Sequence, residues 1–291
     1  MATKKVVKTP EPEEEEIVEE PLADGRPIDQ YQLKMLLYGM PGAGKTTLAA
    51  SGCLDPRLSP GLMIDFEGGD IAIMSHIVRV TMDELRDESF IPPDDKLCVI
   101  RINTWSDFQD VYTVLLDEPE LFKTVILDSL SEMNYLCLQT AMKPESQTQR
   151  LAARDIFALE APEQRQYLLS NTTVKKLVRV FRDLPMHTIF VCGTQELQNP
   201  KTKVMQRMPA MTGKLAFEIP GLVNIVGYLD TEDYIDTEST GGEVATIRVL
   251  DVTPSDKWAC KDRSEGGKLG GFVENPTLPH ILDLLTRPDN S

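Results

Sequence analysis

The stretch LLYGMPGAGKTTLAA, residues 36–50, decides how the rest of the chain is interpreted. Apolar residues lead into a glycine-rich turn, and a lysine and two threonines follow it. Residues 39–46 fit G-x-x-x-x-G-K-[ST], a pattern whose glycines let backbone N–H groups turn inward and hold phosphate oxygens. Because the match follows an apolar strand and opens a helix, it predicts a site for a nucleoside triphosphate. The predicted cofactor-binding residues are Gly39, Met40, Pro41, Gly42, Ala43, Gly44, Lys45, Thr46 and Thr47.

The residues around this loop predict the cofactors ATP and Mg²⁺. Lys45 should reach the β and γ phosphates, and the Thr46 hydroxyl should ligate the metal. The apolar run TVILD ends in Asp128, a carboxylate that can hold Mg²⁺ through water at the carboxyl end of a strand. Glu67, in MIDFEGG, closes the second strand on the same side as Asp65 and is a candidate general base for the attacking water. A solvated loop carboxylate is the alternative interpretation of Glu67.

From residue 31 onward the pattern predicts an α/β fold. Continuously apolar strands alternate with helical stretches, which is typical of a parallel sheet covered on both faces. Beyond residue 220 short strands with turn-like links predict an antiparallel extension of the same sheet. We therefore expect one domain over residues 31–291. The strands are expected at 33–39, 61–69, 96–102, 123–129 and 187–195, and helices from Lys45, near 106–117 and at 172–184.

Composition narrows the class of protein. The net charge is −16, so a nucleic-acid site would have to be a local basic strip on an acidic body. Residues 1–30 hold nine acidic and four basic residues with few large apolar ones, which predicts a disordered acidic tail. Five scattered cysteines without a C-x-x-C pair predict buried thiols rather than disulfides or a zinc site. With no apolar run long enough to span a bilayer, we expect a soluble cytoplasmic protein.

The order of these motifs resembles the RecA-like ATPase core. A P-loop, a glutamate in IDFE, a strand ending in ILDS and a strand followed by glutamine in VCGTQ recur in that order. The resemblance covers residues 31–286 and is closest to phage-encoded RecA-like proteins, including single-strand annealing ATPases. It implies that Glu67 is the catalytic base, that Gln195 senses the γ-phosphate, and that segments 140–165 and 195–213 line a DNA channel. A phage protein of this kind would act in the host cytoplasm.

The same resemblance implies self-assembly. The stretch WACKDRSEGG is similar to a hairpin strand of hexameric helicases and their RecA-like relatives, in which a lysine and an arginine two apart reach a neighbouring subunit's ATP. Lys261 and Arg263 have this spacing and would share one face of a strand, although an exposed basic strand end has the same pattern. The implied partners are single-stranded DNA and further copies of the chain in a ring or filament, and a single-strand binding protein fits as another.

The segment 198–211, QNPKTKVMQRMPAM, is the candidate DNA contact. It carries Lys201, Lys203 and Arg207 without an acidic residue, and these cations would attract a phosphate backbone. Three methionines recur every three residues and offer flexible apolar surface to bases. The alternative is a solvated loop whose methionines pack into the core or a subunit contact. The methionines are Met205, Met208 and Met211.

Two other functions stay open beside a DNA-stimulated ATPase in recombination or annealing. A nucleoside or nucleotide kinase would share the phosphate loop, but such kinases usually add an arginine-rich lid, and the sequence has no arginine cluster. A nucleotide-gated helicase, packaging or regulatory subunit would also share the core. Hydrolysis stimulated by single-stranded DNA distinguishes the first hypothesis, and turnover dependent on a nucleoside acceptor distinguishes the kinase.

Overall fold

The structure is a computed structural model that describes residues 31–142, 162–199, 202–235 and 244–288. The predicted tail, residues 1–30, lies outside the described residues, as do Lys201 and most of the segment 140–165. The strands are β1 Lys34–Gly39, β2 Gly61–Asp65, β3 Ile77–Arg79, β4 Leu97–Arg101, β5 Thr124–Asp128, β6 His187–Cys192, β7 Thr194–Gln198, β8 Met205–Pro209, β9 Ile225–Ile235, β10 Val244–Asp251, β11 Lys261–Asp262 and β12 Phe272–Glu274. The α-helices are α1 Lys45–Ala50, α2 Met82–Leu85, α3 Trp105–Asp117, α4 Leu130–Met142, α5 Gln164–Arg182, α6 Leu215–Glu218 and α7 Leu278–Thr286.

One large mixed sheet organises the domain. Its strand order is β12-β10-β9-β1-β6-β5-β2-β4-β3, with β11 paired to β9. All pairs from β9 to β3 along this order are parallel, whereas β10 runs antiparallel to β9 and to β12. The predicted fold class, a mostly parallel sheet with an antiparallel carboxyl-terminal extension, is confirmed. Strand β6 lies between β1 and β5, so the carboxyl ends of these three strands share one edge.

Helices cover both faces of the sheet, which explains why its strands are apolar throughout. On one face α3, α4 and α5 pack over alternate strand residues such as Leu36 and Tyr38. On the other face α1 and α7 cover the intervening residues, including Met35 and Leu37. Capping residues start several helices where the sequence turns polar. Thr104, for example, accepts a hydrogen bond from the Asp107 backbone N–H at the beginning of α3.

Several expected elements differ in extent. β2 ends at Asp65 rather than at residue 69, and β6 ends at Cys192 rather than at residue 195. The helix expected at 172–184 begins earlier, at Gln164. The strand expected in KWACKDR is only two residues long. The expected bounds included residues beyond the last strand pairs, which are Asp65 with Asp128 and Cys192 with Tyr38.

The segment 195–213, which the resemblance places along a DNA channel, is a β-hairpin over much of its length. β7 and β8 pair antiparallel in a separate two-stranded sheet, from Thr194 opposite Pro209 to Gln198 opposite Met205. We call residues 194–209 the hairpin. Near its tip Lys203 has φ 65°, a left-handed conformation that turns the chain. The segment is therefore paired backbone over this stretch, because β7 and β8 hydrogen-bond antiparallel.

The prediction of buried thiols is confirmed. All five cysteines are buried free thiols, and burial raises the pKa of Cys98 and of Cys192 to about 11. Within the described part of the chain, no helix has the length and apolar character that crossing a membrane requires.

Candidate phosphate-binding site

The loop between β1 and α1 depends on glycine at three positions. Gly42 and Gly44 have φ 81° and 97°, in the left-handed region that favours glycine. At Gly39, an added Cβ would lie 2.2 Å from the carbonyl oxygen of Leu229 on neighbouring β9. Strand β1 is buried throughout, so the loop projects from a rigid base. Its local backbone therefore has the shape that the motif predicted.

Lys45 begins α1 and folds back over this loop. Its Nζ donates to the carbonyl oxygens of Gly39 and Met40 at 3.1 and 2.9 Å. Burial lowers the pKa of Lys45, while the nearby carboxylates of Asp128 and Glu67 act in the opposite direction. The ammonium group thus lies inside the loop and close to both predicted acidic site residues.

Thr46, in the first turn of α1, meets Asp128 at the carboxyl end of β5, although β6 lies between β1 and β5 in the sheet. The Thr46 hydroxyl donates to Asp128 Oδ2 at 2.7 Å. Asp128 is 4% exposed, and burial raises its pKa to about 6, with further increases from Glu67 and Asp65 and an opposing effect of the Thr46 hydrogen bond. A hydroxyl and a carboxylate are the hard oxygen donors that suit Mg²⁺, which usually keeps several waters beside one or two carboxylates. Thr46 and Asp128 would hold Mg²⁺, and the ion would neutralise charge on phosphate oxygens.

Glu67 lies in a turn after β2, not on the strand with Asp65 as predicted. Asp65, which is 3% exposed, accepts hydrogen bonds through Oδ1 from the backbone N–H groups of Glu67 and Gly68, at 2.9 and 2.7 Å. Asp65 Oδ2 in turn accepts from Arg101 Nη1 at 2.9 Å. The Glu67 side chain is exposed, and its Oε1 accepts a hydrogen bond from the Ser129 hydroxyl. An ion pair between exposed Arg101 and buried Asp65 therefore shapes the turn that presents Glu67.

Sequence reasoning assigned no role to three of these residues. Ser129 directly follows Asp128, so its adjacency to a predicted metal ligand was an available signal. Asp65 was noticed only for its spacing from Glu67. Arg101 ends β4 and carries no local motif, because only the register of β2 against β4, with Asp65 opposite Arg101, brings the pair together.

Gln195 lies on β7 and is engaged within the hairpin. Its Nε2 donates to the carbonyl oxygens of Pro209 and Met211 at 3.0 and 2.7 Å. The residue before the hairpin joins it to the site, because the Gly193 N–H donates to the hydroxyl of Ser131, two residues after Ser129, at 3.1 Å. The sensing role of Gln195 stays a prediction, and its amide serves here to close the base of the hairpin.

Arg207, whose DNA contact stays a prediction, is bound to other residues of its own chain. Its Nη1 donates to the Tyr228 hydroxyl at 2.8 Å and to Asp230 Oδ2 at 3.4 Å. The guanidinium carbon lies 5.5 Å from the centroid of the Tyr228 ring, and Trp258 stacks on that ring at 5.4 Å between centroids. On the backbone, the Arg207 N–H donates to Lys257 O at 2.7 Å. These contacts dock the hairpin on the carboxyl-terminal part of the domain.

The other predicted DNA contacts divide into exposed and buried groups. Lys203 is exposed at the hairpin tip, and Lys201 lies outside the described residues. Met205 is 54% exposed, whereas Met208 and Met211 are 3% and 5% exposed. The prediction of a shared methionine surface is thus wrong for two of the three, and packing into the core, the alternative interpretation, is right for them.

Lys261 and Arg263 also differ in the surroundings of their side chains. Lys261 Nζ donates to the carbonyl oxygens of Pro220 and Val223 within its own chain, and burial lowers its pKa to about 8. The role of Lys261 at a neighbouring subunit stays a prediction, and its ammonium group is bound within its own chain here. Arg263 lies just beyond β11 and is exposed.

The arrangement defines a P-loop nucleotide-binding protein. A glycine loop after β1, Lys45 beside it, and the pair of Thr46 on α1 with Asp128 at the end of β5 have the arrangement that would hold phosphates and a metal ion. Residues 31–264 match the AAA domain family, and the chain belongs to that family. A KaiC-like protein from the hyperthermophilic archaeon Pyrococcus horikoshii is a similar solved structure, with 15% identity, a TM-score of 0.37, and coverage of 78% of this chain and 80% of that chain. No curated protein sequence matches the chain.

Proposed function

We propose that this protein is a Mg²⁺-dependent ATPase that assembles on single-stranded DNA and acts in phage recombination or strand annealing. The observation that carries the hydrolytic part is the convergence of Lys45, the Thr46–Asp128 pair and the Glu67–Ser129 pair at one edge of the sheet. The phage setting, and with it the host cytoplasm, is supported by the RecA-like order of the sequence motifs.

In the proposed reaction the phosphate loop binds the β and γ phosphates through its backbone. Lys45 exchanges its hydrogen bonds to Gly39 and Met40 for phosphate oxygens. The Ser129 hydroxyl occupies Glu67 Oε1, so Oε2 is the atom left to accept a proton. Water attacks the γ-phosphorus as Glu67 takes that proton, and the bond to the ADP oxygen breaks. The exposure of Glu67 lets water reach it.

The DNA part of the proposal rests on how the hairpin joins the site. The Gly193 N–H bonds to Ser131, close in sequence to Ser129, the hydroxyl partner of Glu67. At the other strand, the carbonyl oxygen of Arg207 lies 3.2 Å from the hydroxyl of Tyr38, the residue before Gly39. Binding of single-stranded DNA at the hairpin tip would thereby move groups that contact both the phosphate loop and the turn that carries Glu67.

The oligomeric part of the proposal rests on Arg263. This arginine is exposed, and its side chain has no hydrogen bond or ion pair with any residue that the structure describes. An arginine supplied by a neighbouring subunit can stabilise charge on a phosphate in the transition state. We assign this role to Arg263 alone, because Lys261 is bound within its own chain.

The deciding experiment measures ATP hydrolysis with and without single-stranded DNA, in the parent chain and in Lys45→Ala. We expect hydrolysis that needs Mg²⁺, increases with single-stranded DNA and disappears in the variant, because the variant loses the charge that stabilises the phosphates. Hydrolysis at the parental rate in the folded variant would refute the site. Hydrolysis that DNA leaves unchanged would refute the DNA part, and turnover that needs a nucleoside acceptor would identify a kinase.

A mixing experiment tests the oligomer. Lys45→Ala and Arg263→Ala subunits are each expected to be inactive, with losses of about three orders of magnitude for an arginine finger. Mixed assemblies should regain activity, because some interfaces then pair an intact loop with an intact arginine. If subunits exchange but activity does not return, Arg263 does not act across an interface.

A further inference from the structure

The order of the strands indicates which way a nucleotide lies across the phosphate loop. Asp128 ends β5 and Glu67 follows β2, and both strands lie on the same side of β1. The γ-phosphate and the metal therefore belong on that side. The ribose and base must extend over the opposite side of β1, which β9 and β10 occupy.

Arg248 stands at this opposite side. The register aligns Gly39 with Leu229 of β9 and Leu229 with Leu250 of β10. Because β10 is antiparallel to β9, Arg248 lies two residues beyond the level at which β1 ends. It shares a sheet face with Leu250, whose side chain packs in the core formed with α1. Arg248 therefore projects over the edge of the sheet on the side of the phosphate loop.

The Arg248 side chain lies directly against this loop. A Cβ added to Gly44 would be 2.6 Å from Arg248 Nε and 3.2 Å from its Cδ. The guanidinium is exposed and has no hydrogen bond or ion pair within the described residues. Its backbone is fixed, because the Asn275 N–H donates to Arg248 O at 2.7 Å and Asn275 Oδ1 accepts from the Arg248 N–H at 3.2 Å. A rigid strand thus presents a planar cation beside the loop.

We propose that Arg248 forms a wall of the site for the nucleoside end of ATP, with its guanidinium stacked on the base. The proposal rests on the ATP binding argued above and adds the residue that recognises the base. A guanidinium is flat, always charged and weakly hydrated, so it stacks on aromatic rings in a way that an ammonium group does not reproduce. The phosphate side already has Lys45, whereas the nucleoside side has no other assigned group.

The test compares dissociation constants for ATP and for inorganic triphosphate in the presence of Mg²⁺. The variants are Arg248→Ala, Arg248→Lys and, as a matched control, Arg287→Ala, which removes an exposed arginine at the end of α7. We expect Arg248→Ala to weaken ATP binding about tenfold and to leave triphosphate binding unchanged. Arg248→Lys should not restore ATP binding, and the control should match the parent. In steady-state hydrolysis the loss should appear in KM rather than in kcat.

Three outcomes would overturn the inference or its basis. Parental ATP affinity in folded Arg248→Ala would remove Arg248 from the site. Equal losses for ATP and triphosphate that Arg248→Lys restores would mean a charge contact to phosphate, and stacking would be wrong. If the parent chain binds neither ligand, the proposed ATPase function fails, and this result is distinct from a failure of Arg248 alone. Because Arg248 is exposed, the alanine variant should fold, and its melting temperature checks this.

Discussion

The phosphate loop and the hairpin leave neighbouring strands at one edge of the sheet, yet they are built by different means. The loop owes its shape to glycine conformations and backbone groups within residues 39–46. The hairpin is docked by side chains from distant parts of the chain, chiefly through Arg207 with Tyr228 and Asp230. A structure such as the phosphate loop, which residues close in sequence shape, can be predicted from a short motif. For a structure such as the hairpin, the role of a residue depends on partners that the motif does not contain.

The largest effect is expected from a substitution of Glu67, in the turn beside the phosphate loop. Glu67→Gln should lower kcat roughly a hundredfold or more, because an amide cannot accept the proton of the attacking water. Binding of ATP and Mg²⁺ should persist, since Glu67 is outside the loop. Steady-state hydrolysis measures kcat, and equilibrium binding measures the affinity for ATP and Mg²⁺. Glu88→Gln, at an exposed position, is the control. If binding and turnover are lost together, Glu67 has a structural role and the contrast with the hairpin weakens.

A second prediction concerns the strand that carries the hairpin. Burial lowers the pKa of His187, at the start of β6, to about 4, and its Nδ1 accepts a hydrogen bond from the Leu33 N–H at 3.0 Å. In the unfolded chain this imidazole takes up a proton near pH 6.5, whereas in the folded chain it does so only near pH 4. The free energy of unfolding should therefore be unaffected by this group above pH 6.5 and fall as pH decreases toward 4, by about 2 kcal/mol between pH 7 and pH 5.

Denaturant unfolding at several pH values measures this change. His187→Gln keeps an acceptor but does not titrate, so its unfolding free energy should depend less on pH than the parent's. His280→Gln, at an exposed position, should behave like the parent. A pH dependence equal in all three proteins would contradict the assignment. The effect should spare the phosphate loop, because His187 lies at the opposite end of β6.

The third prediction tests whether the turn that carries Glu67 depends on a residue distant in sequence, unlike the phosphate loop. Arg101→Met removes the ion pair to Asp65, which orders the turn that presents Glu67. We expect kcat to fall about tenfold with little change in KM, because misplacing a catalytic group mainly affects the chemical step. Arg101→Lys should recover part of the loss, and a purely structural role would instead appear as a lower melting temperature with unchanged kcat.

The smallest expected effects separate two cations of the hairpin. Lys203→Ala should reduce the salt dependence of single-strand binding by about one phosphate contact and leave stability unchanged. Arg207→Ala should leave the salt dependence unchanged but lower stability by about 1 kcal/mol, since it loses hydrogen bonds to Tyr228 and Asp230. Lys176→Ala, on the exposed side of α5, is the matched control. The reverse pattern would mean that Arg207 leaves its partners to bind DNA.

Sequence reasoning reached the fold and the phosphate loop because both have local signatures. Apolar runs of strand length predict buried parallel strands, and the motif specifies Lys45 and Thr46 by spacing. Asp128 was also accessible, because it ends an apolar run. Arg101 and Arg248 were not, since only the pairing of β2 with β4 and of β10 with β9 brings them to the site. The contacts of Arg207 within the chain were not accessible for the same reason, because its partner Asp230 is distant in sequence.

The stacking of Trp258 on Tyr228 gives the domain an optical probe. The chain has two tryptophans, and the other, Trp105, packs edge-on against Phe108 at the start of α3. In a Trp105→Phe protein, all indole emission would come from the ring beside the docked hairpin. Release of the hairpin would admit water to that ring and shift its emission to longer wavelengths. Rapid-mixing fluorescence could therefore time the hairpin's movement against ATP cleavage without an attached dye.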